Sequence, residues 1–397
     1  MATTDVHSSF DQPLPMLAYL HKARERALVV DCGDFFEGSG YYRLGGGRIE
    51  RQALILLYDV IAPGNHGWRH HFEPDLRAMT VCANATDAGT GEPLFRQVRI
   101  ETIAGRRVGV TGVIGEQAFA TIPLPERTGH HIIRPEAALH ELRARYRDMV
   151  DDWIVLSHSG FDHDLTLAER SPFVSVIFSG HCHSEQHGPA QVGNTLVVKG
   201  HELGAGYAEA QPYNGCWAAR TQLYPDVATM PEAVAVLLAR IQAIHDRLIS
   251  PLGLLAKPFR DTVPDRHEIL TLVARRLRAC LSTDAVLFND TSLRPVHLGT
   301  VLREGDLLAI EPFGNQLVHA HIAGDPQTLL DALADRVGPL VIDHAPDTPE
   351  LRCALTTRHL ADTFLGGRWN GPPRPLAAAV QAVLTGRTET HRDPHRP

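Results

Sequence analysis

The sequence predicts an α/β protein built from two domains. The chain has 397 residues, which by the usual domain size is enough for two domains. It is 44% hydrophobic and 21% charged, as is ordinary for globular proteins that bury sizeable cores. In the first half, short β-branched segments alternate with helical patterns, which is typical of a layered α/β domain. In such folds, ligands bind just beyond the carboxyl ends of the strands.

The predicted strands of the first half are short and apolar, and each is followed by Gly, Asp, Asn or His. They comprise residues 27–30, 80–83, 107–113, 153–156 and 175–178. Further along, Thr229 and Glu232 have the spacing of a capping box and precede an apolar helical stripe. Ser250 and Pro251 then stop this pattern, so residues 229–249 are predicted to form a connecting helix.

These patterns divide the chain into four segments. Residues 1–222 form the first domain, residues 223–250 contain the connecting helix, and residues 251–386 form a smaller α/β domain. Residues 387–397 are polar and contain proline, and we expect this tail to be disordered.

Composition narrows the possible partners and the cellular location. The formal charge is −8, and there is no basic stripe of the kind that nucleic-acid binders carry. There is also no apolar run of 18 residues and no signal-peptide pattern at the start. The six cysteines show no paired spacing, which favours reduced thiols. We therefore expect a cytoplasmic protein without a nucleic-acid or membrane partner.

Five short segments of the first half carry side chains that bind metals. They contain Asp5 and His7, Asp34, Asn65 and His66, His158, and finally His181 and His183. Each segment alone is a common surface turn. Three of the five follow a predicted strand, however, and a fourth follows the apolar residues 61–63. Their carboxylate, imidazole and amide groups suit divalent ions such as Zn, Mn, Fe, Co and Mg. Two such ions about 3.5–4 Å apart can clamp both oxygens of an in-line displacement.

The order of these segments resembles that of the calcineurin-like metallophosphoesterases, and their flanks narrow the resemblance. Asp-Phe-Phe-Glu-Gly-Ser at 34–39, Cys-Ala-Asn at 82–84 and Leu-Ser-His-Ser-Gly at 156–160 are similar to segments of the 5′-nucleotidase/UDP-sugar hydrolase family. The similarity extends over nearly the whole chain. It implies a four-layer α/β/β/α sandwich followed by a smaller C-terminal α/β domain for substrate recognition.

The resemblance also implies roles for individual residues and a pair of divalent metal ions. His66 would be the catalytic histidine, which stabilises phosphoryl oxygens or protonates the leaving group. Asp34 would bridge the two ions. The remaining ligands would be Asp5, His7 and His183 for one ion, and Asn65, His158 and His181 for the other.

Two departures from the family pattern stand out. The family has an acidic residue three positions after the catalytic histidine, where this chain has Arg69. Either another carboxylate replaces it, with Glu73 and Asp75 nearby in sequence, or the pair is absent. The second departure is the strand before Asp5, which is reduced to residues 1–4.

The second domain contains segments that resemble the family's substrate-binding motifs. Asn289 and Arg294 delimit a segment similar to Asn-Gly-Gly-Gly-Ile-Arg, in which the Asn faces the base and the Arg contacts phosphate. Phe313 matches an aromatic residue that stacks on the base. Trp369 lies beside the position of a second stacking aromatic, and Arg266 is one place from another phosphate arginine. The glycines of the first motif are replaced, which indicates an altered pocket.

The predicted function is hydrolysis of a nucleoside 5′-monophosphate, or of a nucleotide-like phosphate from a biosynthetic pathway. UDP-sugar, cyclic-nucleotide and sulfur-ester hydrolysis are alternatives within the same family. A phosphoprotein phosphatase and a non-catalytic, metal-stabilised nucleotide-binding protein are alternatives of other classes. In each case except the phosphoprotein phosphatase, we expect a small-molecule partner.

Overall fold

The computed structural model describes residues 1–226, 229–281, 283–322, 326–344 and 352–387. The chain divides into two compact units, Met1–His245 and Asp246–Pro397. The predicted tail at 387–397 lies outside the described residues apart from Arg387. In the described part of the chain, no helix has the length and apolar character needed to cross a membrane.

The first unit contains two large β-sheets. Its strands are β1 (Ala2–Thr3), β2 (Val30–Asp31), β3 (Val60–Ile61), β4 (Ala85–Asp87), β5 (Arg99–Ile103), β6 (Arg106–Ile114), β7 (His130–Ile132), β8 (Asp152–His158), β9 (Val174–Ser179), β10 (Ala190–Val192), β11 (Thr195–Lys199), β12 (Gly206–Tyr213) and β13 (Cys216–Leu223). One sheet has the order β13-β12-β1-β2-β3 and the other β10-β11-β9-β8-β6-β5, while β4 and β7 form a separate pair.

The two large sheets pack face to face through an apolar core. Val30 and Val60 of the first sheet lie in the same buried cluster as Val110, Leu156 and Val176 of the second. Burial of these β-branched and leucine side chains between the sheets is the main source of the sandwich's stability.

Helices cover the outer faces of this sandwich. Those of the first unit are α1 (Leu14–Ala23), α2 (Gly40–Gly45), α3 (Arg48–Leu57), α4 (Pro74–Met79), α5 (Glu116–Thr121), α6 (Leu124–Arg127), α7 (Pro135–Arg145) and α8 (Phe161–Arg170), and α9 (Glu232–Leu248) leads into the second unit. Leu139 of α7 and Leu167 of α8 pack on the second sheet. On the first sheet, Thr3 donates a hydrogen bond to Tyr58, the residue after α3, at 2.9 Å. The predicted four-layer arrangement is therefore confirmed.

One predicted strand is wrong. Residues 80–83 make only isolated bridges, between Thr80 and Ile61 and between Val81 and Arg96, and no strand ladder. The segment is buried, as its apolar sequence indicates, but neither partner runs alongside it for more than one residue. The other four predicted strands correspond to β2, β6, β8 and β9, and the strand before Asp5 is the two-residue β1.

The second unit has its own mixed sheet. Its strands are β14 (Pro251–Leu254), β15 (Ala285–Asn289), β16 (Val301–Arg303), β17 (Gln316–His321), β18 (Leu340–His344), β19 (Cys353–Thr357) and β20 (Trp369–Pro375). Five of these form a sheet of order β18-β15-β19-β17-β20, and β14 pairs with β16. Its helices are α10 (Arg266–Cys280), α11 (Glu304–Ile310), α12 (Pro326–Val337), α13 (Arg358–Phe364) and α14 (Leu376–Leu384).

Helices lie on both faces of the five-stranded sheet. Val273 of α10 and Val380 of α14 share a buried cluster with Phe288 of β15. Leu333 of α12 and Ala361 of α13 belong to the cluster on the other face. The second unit is thus a smaller α/β domain with a core of its own.

Candidate metal centre

The predicted metal ligands lie at the carboxyl ends of parallel strands in both sheets of the sandwich. Strands β1, β2 and β3 run parallel, as do β6, β8 and β9. Asp5, Asp34 and Asn65 follow the first three strands, His158 ends β8, and His181 follows β9. Parallel strands end at the same edge of a sheet, so this topology gathers side chains that are distant in sequence.

Several of these residues have backbone conformations that non-glycine residues seldom adopt. The angle φ is 50° at Asp5 and His7, 57° at Asp34 and 79° at His181. The loops hold one another in place: Asp5 N donates to Gly33 O at 3.0 Å, and His7 N donates to Asp34 O at 2.9 Å. Such conformations persist where the surrounding structure fixes them, and they are common at functional sites.

Asp5, His7 and His183 form one group of potential metal donors, with one donor atom of each within 4.8 Å of the others. His7 Nε2 lies 3.8 Å from Asp5 Oδ1 and 3.8 Å from Asp34 Oδ2. His183 Nε2 lies 3.9 Å from Asp5 Oδ1. These distances are longer than a hydrogen bond. They are the distances expected between donor atoms that face one shared position, as ligands of a single ion do.

Asp34, His158 and His181 form a second group within the same distance limit. His158 Nε2 lies 3.2 Å from Asp34 Oδ2 and 3.2 Å from the amide oxygen of Asn65. Asp34 also belongs to a third group, with His7 and His66. The structure thus brings the seven predicted ligands together around Asp34, and their assignment as ligands stays a prediction.

Burial and neighbouring charges set the protonation of this site. Burial raises the pKa of Asp5. Burial would also raise the pKa of Asp34, but the charge and hydrogen bond of His158 outweigh it and lower the pKa. Burial opposes the charged form of His158, yet Asp34 and Asp5 raise its pKa to about 9. Burial lowers the pKa of His7 and His181 to about 4, so both imidazoles are neutral and can act as ligands.

These donors fit divalent metal ions. Asp5 and Asp34 place two carboxylates in the buried interior, where an uncompensated negative charge is costly. The buried His7 Nε2 has no hydrogen-bond partner among the described residues, although a lone buried nitrogen normally has one. A cation facing His7 would satisfy this atom, and a cation facing His158 would replace the proton that His158 Nε2 carries toward Asp34.

The predicted catalytic histidine, His66, has a carboxylate partner that the sequence did not reveal. His66 Nδ1 lies 3.0 Å from Glu37 Oε2, and His66 N donates to Asp34 Oδ1 at 2.8 Å. The hydrogen bond to Glu37 raises the pKa of His66. The loop is fixed at Gly38, whose φ is +92° and where an added Cβ would lie 2.8 Å from the Cβ of His7.

The two carboxylates that lie near His66 in sequence are engaged elsewhere. Glu73 accepts from His70 at 2.7 Å and pairs with Arg51, and Asp75 also pairs with Arg51. Glu37 therefore replaces the acidic residue that the family has at position 69. Arg69 itself donates to Tyr42 Oη at 2.8 Å. The sequence feature that could have indicated Glu37 as the partner of His66 is its position three residues after Asp34 and directly before Gly38.

Comparison with known proteins identifies the family. Residues 1–185 match the calcineurin-like phosphoesterase family. The matched region lies within the first unit and contains all of the predicted metal donors. This match supports the predicted class of enzyme, a hydrolase acting on phosphoric esters with divalent metal ions as cofactors.

One curated relative is a 5′-nucleotidase-related protein of Glossina morsitans morsitans. It is 31% identical over 179 residues, which cover 41% of this chain and 31% of that protein. The chain thus spans about a third of the length of this relative.

Two solved structures extend the likeness over nearly the whole chain. A 5′-nucleotidase precursor from Thermus thermophilus is 20% identical, with a TM-score of 0.63, and covers 97% of this chain and 95% of that chain. The sulfate thiohydrolase SoxB of the same species is 22% identical, with the same TM-score, and covers 93% and 80%. At these identities the likeness concerns the fold alone.

Beyond the phosphoesterase domain, the residues that replace the family's glycines make local hydrogen bonds. Asn289 Nδ2 donates to Thr291 Oγ1 at 2.6 Å, and Ser292 Oγ donates to Asn289 Oδ1 at 2.6 Å. Arg266 Nε donates to Asp290 Oδ2 at 2.6 Å. Asn289 and Arg266, both predicted substrate residues, are therefore engaged by this segment itself.

Arg294 and Phe313, the predicted phosphate and base contacts, lie side by side. The guanidinium carbon of Arg294 is 5.3 Å from the centre of the Phe313 ring, which is 51% exposed. The two loops are joined because Asn315 Nδ2 donates to Ser292 O at 3.5 Å. The carboxylate of Glu311 accepts from Asn315 N at 2.9 Å and from Gly314 N at 3.1 Å, which holds the loop that follows Phe313.

Trp369 does not lie beside Phe313. It pairs with Ala320 on β17, whereas the Phe313 loop precedes Gln316 at the other end of that strand. Its indole Nε1 donates to Asp362 Oδ1 at 2.8 Å, and its ring packs against a buried cluster. Trp369 therefore lies at the opposite end of β17 from Phe313, a position that does not fit the predicted role of a second stacking aromatic.

Proposed function

We propose that the protein is a metal-dependent phosphomonoesterase that converts a nucleoside 5′-monophosphate, or a nucleotide-like phosphate, to a nucleoside and phosphate. The observation that carries this proposal is the convergence of His66, paired with Glu37, on two groups of metal donors, one of which contains Asp34 while the other lies 3.8 Å from it at His7 Nε2. The family of the first unit supports the reaction class.

The proposed metal site uses every donor of the two groups. Divalent ions held there would supply hydroxide near neutral pH and bind the oxygens of the phosphoryl group. Asp34 would contact both ions, because its Oδ2 lies 3.8 Å from His7 Nε2 in one group and 3.2 Å from His158 Nε2 in the other. The other ligands are Asp5, His7 and His183 on one side and Asn65, His158 and His181 on the other.

His66 acts at the reacting ester. Glu37 accepts a hydrogen bond from Nδ1–H and raises the pKa of His66, which favours the imidazolium form whose Nε2–H can donate to a phosphoryl oxygen or to the leaving oxygen. As the oxygen of hydroxide bonds to phosphorus and the ester P–O bond breaks, the Nε2 proton of His66 converts the departing alkoxide to the nucleoside hydroxyl and leaves a neutral imidazole. Arg69 cannot perform the orienting role of the family's acid, because a guanidinium has no acceptor for the Nδ1–H of His66, and it donates to Tyr42 instead.

The second unit supplies recognition of the organic part of the substrate. An exposed phenylalanine ring is suited to stacking on a planar base, and an arginine fork binds two phosphate oxygens. The neighbouring Phe313 and Arg294 offer both within one surface. The altered segment around Asn289 supports a nucleotide that differs from the common ones.

A phosphate-release screen tests this proposal. Metal-stripped protein is reloaded with Mn²⁺, Zn²⁺, Mg²⁺, Co²⁺ or Fe²⁺ and offered nucleoside 5′-monophosphates, cyclic nucleotides, UDP-sugars, sugar phosphates and thiosulfate esters. We expect metal-dependent release from a nucleoside monophosphate to exceed that from the other classes. Faster turnover of any other class would overturn the assignment, and nucleotide binding without turnover would indicate a binding protein.

A further inference from the structure

Lys199, the last residue of β11, is an unusual side chain so close to the metal centre. It is fully buried at 0% exposure, although lysine is almost never buried without partners. Its ammonium donates to Cys182 O at 2.8 Å, to Ser184 O at 2.5 Å and to Glu202 Oε1 at 2.6 Å. All three donors are therefore satisfied, and two of the acceptors belong to the loop that carries His181 and His183.

The two carbonyl contacts fix the backbone on both sides of His183. Cys182 and Ser184 are its neighbours in sequence, and Lys199 binds the carbonyl oxygen of each. The imidazole itself is 52% exposed, so packing does little to hold it. A metal ligand in this position needs some other constraint to keep its nitrogen directed at the ion.

Glu202 provides that constraint. Its Oε2 lies 2.6 Å from His183 Nδ1, while its Oε1 accepts from Lys199. A carboxylate at Nδ1 requires the proton on that nitrogen, which leaves the lone pair of the neutral imidazole on Nε2. That atom is the one that faces Asp5. The next residue, Leu203, donates its backbone N–H to Asp5 O at 2.9 Å. This bond ties the loop that carries Glu202 to Asp5.

We propose that Lys199 and Glu202 are positioning residues for His183. Lys199 fixes the loop and orients the Glu202 carboxylate, and Glu202 sets the tautomer and direction of the imidazole. The inference rests on the proposed function in one respect, namely that His183 binds a divalent ion. It extends that function by assigning two residues, remote from the reacting ester, to the affinity of one metal site.

The effect is confined to one side of the centre. His181 lies on the same loop, but its backbone N–H donates to Asp5 Oδ2 at 3.0 Å, and Gly180 O accepts from Gly160 N at 2.9 Å. Neither contact involves Lys199 or Glu202. Removal of the Glu202 charge should therefore weaken the site of Asp5, His7 and His183 and spare that of Asn65, His158 and His181.

Calorimetric titration of metal-stripped protein with Mn²⁺ tests the proposal. Wild type should show two binding events. In Glu202→Gln one event should weaken by about 10–100-fold, the range for loss of a partner behind a metal-binding histidine, while the other is unchanged. Glu185→Gln, an exposed carboxylate on the same loop, is the matched control and should bind as wild type does. Equal weakening of both events, or no weakening, would overturn the proposal.

A double-mutant cycle establishes whether Glu202 acts through His183. His183→Ala should itself weaken the same event, and adding Glu202→Gln should then have little further effect, because residues that act through one contact are not additive. Additive losses would show that Glu202 does not act through His183. Lys199→Met is expected to weaken the same event. Should that variant not fold, Glu202→Gln and the cycle still decide the matter.

The titration and the phosphate-release screen fail independently. Selective weakening in a protein that hydrolyses no phosphate ester would leave the positioning pair intact and remove the proposed function. If Glu202→Gln bound Mn²⁺ as wild type does and the wild type hydrolysed a nucleoside monophosphate, the positioning role would be excluded and the proposed function would stand. Wild type that bound no Mn²⁺ would overturn both.

Discussion

Glu37 Oε2 and His66 Nδ1 are 3.0 Å apart, so the imidazole beside the metal donors is paired with a carboxylate from the loop after β2. In the family pattern this acid follows the histidine by three residues, on the same loop. Here that position is Arg69, and the acid comes from a loop that Asp34 also occupies. A single short segment thus supplies both Asp34, the proposed shared ligand, and the carboxylate partner of His66.

This pairing predicts that Glu37→Gln slows turnover without removing metal. Glutamine keeps the size of the side chain but loses its charge, and its amide can present a donor to His66 instead of an acceptor. We expect kcat to fall by about tenfold or more, with metal content unchanged, and a larger fall in Glu37→Ala. Steady-state kinetics and elemental analysis on the same preparations measure the two quantities.

Glu73→Gln is the control for this change, because Glu73 lies closer to His66 in sequence but binds His70 and Arg51. It should retain wild-type kcat. Equal losses in the Glu37 and Glu73 variants would mean that the effect is a general one on the loop and not one on His66.

His66→Asn tests the role of the imidazole itself. We expect both metals to remain and the rate to fall by roughly 10²–10⁴-fold, as for removal of a general acid. The structure makes this test necessary, because His66 also lies within reach of His7 and Asp34 as a potential metal donor. Metal content measured beside activity separates the two roles: loss of an ion in step with activity would make His66 a ligand.

Asp34→Asn should abolish activity and lower metal content. The buried carboxylate faces both donor groups, and its charge offsets the repulsion between two cations held close together. An amide supplies no such charge. Asp75→Asn, an exposed carboxylate paired with Arg51, should bind metal as wild type does. Two ions retained in Asp34→Asn would contradict the shared-ligand arrangement, and one ion or none in active wild type would contradict a two-metal site.

Much of the metal centre could be predicted from sequence because strand order determines it. Asp5, Asp34, Asn65, His158 and His181 each follow or end a short apolar strand, and parallel strands end at one edge. Local composition was enough to find β2, β8 and β9, the family resemblance indicated β1, and the fold then brought their ends together with that of β3. Nothing in this step required knowledge of loop paths.

Contacts that depend on loop paths could not be predicted in this way. Glu37 meets His66 across 29 positions of sequence, and the turn at Gly38 decides where its side chain points. Lys199 ends a strand whose other residues are apolar or small, and nothing local indicates that its ammonium is buried. Residues 80–83 fail for a related reason, since a ladder needs partners that run alongside it.

The last prediction concerns what the second unit recognises. Phe313 should stack on a planar base and Arg294 should bind phosphate. Stacking on an aromatic ring is worth about 1–3 kcal/mol per base in single-strand binders, and we expect a similar value here. Phe313→Ala should therefore raise KM for the preferred nucleotide about tenfold or more and change hydrolysis of p-nitrophenyl phosphate little.

Arg294→Ala should weaken both substrates, because both carry the phosphate. Part of its effect on the nucleotide can also arise through Phe313, since the guanidinium lies 5.3 Å from that ring. Tyr213→Ala removes a comparably exposed aromatic ring from the β12–β13 hairpin and should change neither substrate. If a ribose phosphate without a base were hydrolysed as efficiently as every nucleotide tested, recognition by stacking would be excluded. The metal chemistry would survive that result, because it depends on residues of the phosphoesterase domain alone.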